Sequence, residues 1–300
     1  MNINYEYYKI FYYAAKYKNI TRAAAAIGSS QPNVTRVLKL LESELNCKLF
    51  EREARGITLT EEGRRLYAHV QIAVMQLENA QEELSGQAAC QMGTVEIGAT
   101  ETALHLCLLD ALRSFKESHP GARIKIHNDT TPKLLKKLAC GGLDFAVLTT
   151  PFAHHKLVSK RLHSFQEILV AGSQYRELGQ RKWKLGELHR YPWVGLLEGT
   201  ATDAFYREYF LRQHTKVELD LEAATSDLLI PLIRSNFGIG FVPEKLAQPF
   251  FMRQELIQIP LSCSLPQRDI CLVSDQERGK SILSAGLQKY LTEEYVFSTR

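Results

Sequence analysis

Apolar residues recur along the first sixty positions with the spacing of short helices. Tyr8, Phe11, Tyr12 and Ala15 fall at i, i+3, i+4 and i+7, one face of a helix. After a break at Lys18–Asn19, the pattern predicts a second helix with Thr21 as N-cap. It turns Ala23, Ala24 and Ile27 inward and stops at Gly28. Ser29 or Ser30 caps a third helix, with Pro32 in the first turn, where proline is tolerated. Val34, Val37, Leu38, Leu41 and Leu45 form its core stripe, and Gln31, Asn33, Thr35, Arg36 and Lys39 lie largely off it. Two short helices separated by a few residues that include a glycine make a helix-turn-helix pattern. Leu49-Phe50 and Ile57-Thr58-Leu59 then read as two strands, with Glu51–Gly56 as the hairpin tip of a wing.

From Thr60 the spacing changes. Leu66, Val70, Ala73, Leu77, Ala80 and Leu84 follow a heptad seam, which predicts a long helix paired with a partner. Thr60 caps it, and Glu61 and Glu62 occupy the first turn, where the helix dipole favours acids. A full capping box is absent because Gly63 stands where Glu or Gln would close it. Ser85-Gly86 is a natural stop.

From Gly93 onward, strand and helix patterns alternate. Strands are predicted at Thr94–Ala99, Arg123–His127 and Leu143–Thr149, with helices at Leu104–Ser118 and Pro132–Cys140 between them. The alternation recurs at Glu167–Ala171, Trp193–Leu197, Ala204–His214, Leu219–Ala223, Leu228–Asn236 and Gly238–Val242. It closes with Asp269–Ser274 and a helix from Lys280 to about Tyr290. This order argues a mainly parallel sheet covered by helices, an α/β fold. No internal repeat is evident.

Charge sharpens the picture at one end. The net charge is only +4, but residues 1–60 hold nine Lys/Arg against five Asp/Glu, while residues 61–90 hold two against five. The positive charge is therefore concentrated at the N-terminal end, which suits an anionic partner there. Six scattered cysteines, without C-x-x-C or zinc-finger spacing, fit a reducing cytoplasm better than a disulfide scaffold. The first twenty residues lack the apolar core of a signal peptide, and no stretch approaches a membrane span. There is no G-x-S-x-G, H-E-x-x-H or P-loop, and Gly238-Ile239-Gly240 lacks a third glycine, so an enzyme is the alternative rather than the expectation. A solute-binding protein is disfavoured by the N-terminal module. Adjacent His154 and His155 have no carboxylate or cysteine neighbour in sequence, and neither a metal nor a cofactor is expected.

Many coupled positions carry a more specific resemblance. Thr21-Arg22-Ala23-Ala24, Ile27, Ser30-Gln31-Pro32, Val34-Thr35-Arg36, Leu41-Glu42, Leu45, Leu49-Phe50-Glu51-Arg52, Arg55 and Leu59-Thr60-Glu61-Glu62-Gly63 resemble the LysR-type transcriptional regulators. Val95–Ala99, Gly142–Ala146 and Gly238–Pro243 extend the likeness, more loosely, to that family's effector-binding domain. Gly28-Ser29 and Asn46-Cys47 depart from the common pattern, at element boundaries only. The resemblance implies a winged helix-turn-helix over 1–59, a dimerising linker helix over 60–89, and a two-lobed, periplasmic-binding-protein-like domain over 90–300. Lobe I would take about 90–160 and 267–300, and lobe II about 161–266, with crossings near Ser159–Leu162 and Ser264–Arg268.

It also implies roles. Thr21, Arg22, Ser30, Gln31, Pro32, Asn33, Thr35, Arg36, Lys39, Arg52 and Arg55 are the expected DNA contacts. Gln31 suits adenine, and Arg36 suits guanine or a phosphate. The seam from Leu66 to Leu84 would hold a homodimer, or part of a tetramer, on a partly palindromic operator. Strand C-termini and helix N-termini place Thr100, Glu101, Thr102, Asn128, Thr149, Thr150, Gly199, Thr200, Thr202 and Phe241 around a small polar or carboxylate effector. Each threonine taken alone also reads as a cap or turn residue.

Overall fold

The computed structural model describes residues 3–53, 56–84, 93–153, 157–276 and 280–295. The chain folds as two compact units, 1–86 and 87–300, the short turn 140–142 excepted.

In the first unit, α1 (Tyr5–Tyr17), α2 (Ile20–Ala26) and α3 (Gln31–Leu45) enclose a core with Phe11, Ala23, Val34 and Leu41 at its centre. The N-cap of α2 is Asn19, whose side chain accepts from Arg22 N at 3.0 Å, so the helix begins ahead of Thr21. Ser30 caps α3 by accepting from Asn33 N at 3.4 Å. Gly28 adopts φ +64°, the left-handed conformation that a helix stop uses. The wing pairs β1 (Phe50–Glu53) with β2 (Gly56–Leu59), Phe50 opposite Leu59 and Glu53 opposite Gly56. Its strand thus runs further toward the tip than the apolar pair Leu49-Phe50 indicates, because the antiparallel ladder continues through polar residues.

The helix α4 (Glu61–Leu84) follows. Thr60 Oγ1 accepts from Gly63 N at 2.9 Å and donates to Lys48 O at 2.7 Å. A Cβ on Gly63 would run into the Leu49 carbonyl, so close approach of helix and wing excludes the capping-box Glu that this position lacks. Leu66, Tyr67, Val70 and Val74 pack onto the core of the same unit, whereas Ala73 and Leu77 remain exposed. The side chains of Ala80 and Leu84 lie outside the described residues.

The second unit has two lobes. Lobe I carries β3 (Gly93–Ala99), α5 (Glu101–Ala103), a π turn (Leu104–Leu108) and α6 (Leu109–Ser118). Then come β4 (Ala122–Asn128), α7 (Thr131–Ala139), β5 (Phe145–Thr149) and β6 (Val158–Phe165). Lobe II carries β7 (Glu167–Gly172), β8 (Val194–Leu196), α8 (Ala201–Arg212), β9 (Leu221–Ala223), α9 (Leu229–Arg234), β10 (Ile239–Pro243), α10 (Glu244–Met252) and β11 (Leu256–Gln258). The chain then returns to lobe I as β12 (Arg268–Ser274) and α11 (Ile282–Lys289).

The lobe I sheet runs β4-β3-β5-β12-β6, with β12 antiparallel to both neighbours and β3 parallel to its own. In lobe II, β10-β7-β11 joins β8-β9 through a parallel bridge between Trp193 and Ile239, and β7 is antiparallel to its neighbours. Each lobe therefore has its one reversed strand in the same place, and that strand is the one entered by crossing from the other lobe. The alternating faces of β5 explain its wholly apolar run. Phe145 and Val147 join one core cluster, and Ala146 and Leu148 join another on the opposite face.

The crossing expected at Ser159–Leu162 lies instead at Gln166. Val158–Phe165 stays in lobe I because it pairs with β12 along its whole length. This strand is polar and exposed over its first half, so it carries no hydrophobic alternation. The helix α10 also has no sequence counterpart above, because Pro249 interrupts its pattern.

Candidate nucleic-acid interface and ligand cleft

The outward face of the helix-turn-helix carries the polar set that the sequence singles out. Thr21, Arg22, Ser30, Gln31, Pro32, Arg36 and Lys39 are exposed, and Asn33 and Thr35 are half-buried. The face is organised before any partner arrives. Asn33 Nδ2 donates to Ser29 Oγ at 3.0 Å, and Arg36 donates to Asn33 Oδ1 at 3.1 Å. Arg36 keeps its remaining N–H donors on the exposed side. Behind this face, Glu42 accepts from Leu49 N at 2.8 Å and pairs with Lys48 at 3.1 Å, tying α3 to the wing. The strand β1 carries Arg52, whose side chain is not described, and Arg55 lies outside the described residues.

In the second unit, the strand ends of both lobes surround one cleft of about 450 Å³, open mouth included. Thr100, Glu101, Thr102, Asn128, Thr149, Thr200 and Thr202 all line it. These seven come from four strand ends in two lobes, and the rule that ligands sit beyond strand C-termini explains their convergence. Asp129, Thr130, Thr131, Leu196, Ala201, Ala224, Thr225 and Ser226 complete the lining and were missed. Ala224–Ser226 follow β9, so the same rule applied to that strand would have found them.

The hydroxyls differ in what they are free to do. Thr200 Oγ1 accepts from Asp203 N at 3.0 Å and caps α8. Thr100 Oγ1 is buried with no hydrogen-bond partner among the described residues. Asn128 Nδ2 donates to Ala99 O at 3.1 Å. Burial raises the pKa of Glu101, and Asp227 on lobe II adds to that shift, against smaller pulls from His105 and the Asn128 amide.

Three expected residues do not reach the cleft. Phe241 is 3% exposed and stacks among Trp193, Tyr206 and Phe210 at centroid distances of 5.2–6.1 Å, as part of the lobe II core. It faces inward because its strand alternates and its neighbour Val242 takes the other face. Thr150 uses its hydroxyl to accept from Asp269 N at 2.9 Å. Gly199 forms the turn before α8 at φ +88° and is not part of the lining.

Directly behind the cleft lies a buried cation that the sequence did not flag. Arg268, 2% exposed, starts β12, and Glu167, 3% exposed, starts β7. Their side chains meet at 3.0 Å. Arg268 also donates to Thr150 O at 2.6 Å, Thr202 Oγ1 at 3.1 Å and Thr149 Oγ1 at 3.3 Å. Its guanidinium lies 4.8 Å from the Phe205 ring and 5.5 Å from the Phe165 ring, one from each lobe. Burial pushes the Glu167 carboxyl up, against the pull of Arg268 and of the Tyr206 hydroxyl beside it. Among the described residues, no group of three His, Cys, Asp or Glu is placed to hold a metal, and His154 and His155 lie outside them.

Residues 6–64 match the family described as "Bacterial regulatory helix-turn-helix protein, lysR family", and residues 90–295 match the "LysR substrate binding domain". The chain belongs to the LysR family. It is a transcriptional regulator built from a helix-turn-helix module and a ligand-binding domain. Relatives agree along its length. The HTH-type transcriptional regulator CysB of Burkholderia cenocepacia is 25% identical over 233 residues, covering 77% of this chain and 74% of that one. A full-length OxyR variant from Pseudomonas aeruginosa has the same fold, with a TM-score of 0.76 at 18% identity over 99% of this chain and 100% of the other. Full-length CbnR, solved in complex with its target DNA, matches with a TM-score of 0.56 at 17% identity over 96% and 98%. No described helix is long and apolar enough to cross a membrane.

Proposed function

We propose that this LysR-family chain binds a partly palindromic DNA site as a dimer, in the cytoplasm, and alters that binding when a small polar ligand fills the cleft between its lobes. Gln31 and Arg36 read base edges in the major groove. Thr21, Arg22, Ser30, Pro32, Asn33, Thr35 and Lys39, with the wing arginines 52 and 55, position the duplex through its backbone. The exposed Ala73 and Leu77 support a partner helix along α4, because the apolar positions N-terminal to them are already occupied by the chain's own core. Ligand binding changes the angle between the lobes, which re-spaces the DNA-binding heads.

The observation that carries the ligand half is the convergence of seven strand-end residues from two lobes on one cleft. The described lining offers no histidine, lysine or cysteine beside its hydroxyls, which supports a binding role rather than a catalytic one.

The test is fluorescence anisotropy of the full-length protein on DNA from its own upstream region, against a scrambled duplex, at two salt concentrations. Specific binding should exceed non-specific binding by about 10³ or more. Equal, steeply salt-dependent binding to both would leave only the phosphate contribution and refute sequence reading. Thr100→Ala should abolish the response to an effector while leaving DNA affinity intact, because its hydroxyl holds no structural bond among the described residues. Thr200→Ala is a poorer test, because it also removes a helix cap at a cost of about 0.5–2 kcal/mol.

A further inference from the structure

The charges around the cleft are arranged asymmetrically. No lysine, arginine or histidine is among its described lining residues, but two carboxylates are. Asp129 is already paired with Lys133 at 3.0 Å. Glu101 makes no ion pair among the described residues. It opposes the lobe II turn Ser226–Leu228, whose Asp227 is close enough to raise the Glu101 pKa further. Glu101 thus stands in the lining with an acidic turn of lobe II beside it and no lining cation among the described residues to offset it.

The other part of the cleft is prepared for the opposite charge. Thr149 on lobe I and Thr202 on lobe II each accept a hydrogen bond from the same Arg268 nitrogen. A hydroxyl has one hydrogen and two lone pairs. With a lone pair committed to Arg268, each O–H hydrogen is free to turn into the cleft, so two donors from two lobes converge on one place. Arg268 stays behind them, 2% exposed, and lends its charge without occupying the cleft. A carboxylate is the group that two such donors fit.

We propose that the ligand is a small zwitterion of the amino-acid class, its carboxylate held by Thr149 and Thr202 and its ammonium held by Glu101. This rests on the reading of the cleft as the effector site. A simple carboxylate would leave Glu101 without a counter-charge, and a simple amine would leave the paired hydroxyl donors empty. The zwitterion satisfies both, and its carboxylate end, held from both lobes, draws them together. Arg268 is a positioning residue here, acting through the two threonines.

The experiment uses full-length protein and three matched sets of probes at millimolar concentration, by thermal shift and then calorimetry. The sets are the common L-α-amino acids, the carboxylic acids that lack their amino group, and the amines that lack their carboxylate. At least one amino acid should bind, with both truncated counterparts weaker by roughly 10-fold or more, as expected for the loss of a charged hydrogen bond. Glu101→Gln should weaken that amino acid by a similar factor while leaving the matching carboxylic acid unaffected or tighter. Thr202→Val should weaken both. A carboxylic acid that binds as tightly as its amino acid overturns the proposal, as does full amino-acid affinity in Glu101→Gln, or no amino acid binding at all. If a carboxylic acid binds as tightly as its amino acid and Thr202→Val abolishes it, the cleft remains the effector site and only the zwitterion fails. If a ligand binds and neither variant affects it, the effector reading of the cleft fails as well.

Discussion

Arg268→Met probes the junction on which the two lobes depend. The substitution keeps an apolar stem and removes a cation that donates to Thr150 O at 2.6 Å, Glu167 at 3.0 Å, Thr202 at 3.1 Å and Thr149 at 3.3 Å. Glu167 is then left buried without its charge partner, and its Oε2 already has no hydrogen bond among the described residues. Removing one member of a buried pair costs about 3–5 kcal/mol. For a domain of this size each kcal/mol moves the midpoint by about 2–4 °C, so the melting temperature of the second unit should fall by roughly 6–20 °C. The double variant Glu167→Leu/Arg268→Met should recover most of that loss, since an apolar replacement of a whole buried pair is often neutral or stabilising. Scanning calorimetry on the full chain is the assay, because it separates the transitions of the two units if they melt independently. A fall of less than about 2 °C in the single variant would refute the reasoning, and so would a double variant no more stable than the single one.

Arg36→Ala should weaken specific DNA binding by about 1–3 kcal/mol, roughly 5- to 150-fold, without changing the oligomeric state; anisotropy with sedimentation checks both, and unchanged affinity removes Arg36 from the interface. Leu77→Glu should shift the dimer toward monomer in analytical ultracentrifugation, because it places a charge on the exposed half of the α4 seam. Burial alone would raise the Glu96 pKa, but Lys125 at 2.8 Å and His127 at 2.7 Å outweigh it and hold the carboxyl below its ordinary value. Its folded-state pKa is thus depressed, so the stabilisation is present above the ordinary carboxylate range and is lost as pH falls through the folded value. Glu96→Gln should therefore flatten the acid limb of the melting-temperature profile, and an identical limb in both proteins would dismiss the contribution.

The legible parts of the fold are those whose signals are local. The core stripe Val34–Leu45 repeats at helical spacing because a helix buries every third or fourth residue, and the structure buries Val34, Val37, Leu38 and Leu41 accordingly. The wing, the seam and the alternating strands are likewise written in short windows. So are Thr100, Thr149 and Thr202, because a strand followed by a helix already says where a ligand would sit. The strand β6 shows the limit. Half of it is exposed and polar, and only pairing with β12, more than a hundred residues later, makes it a strand.

Side-chain partners are where local reading stops. Phe241 and Thr150 occupy positions that look like neighbours of the cleft, but alternation sends one into the lobe II core and Asp269 claims the hydroxyl of the other. Leu66 and Val70 share the seam's spacing with Leu77, yet the first pair packs on its own unit and only the later position is left for a partner. Arg268 and Glu167 show no motif at all. They are 101 positions apart, each at the start of an ordinary-looking strand, and they matter because both crossings meet behind the cleft. Periodicity and capping follow from energies that a dozen neighbouring residues settle among themselves, so the chain alone specified its elements and family. Which charge is buried against which, and which hydroxyl is left free, depends on residues that meet only when the two crossings close, and only the folded structure decided that.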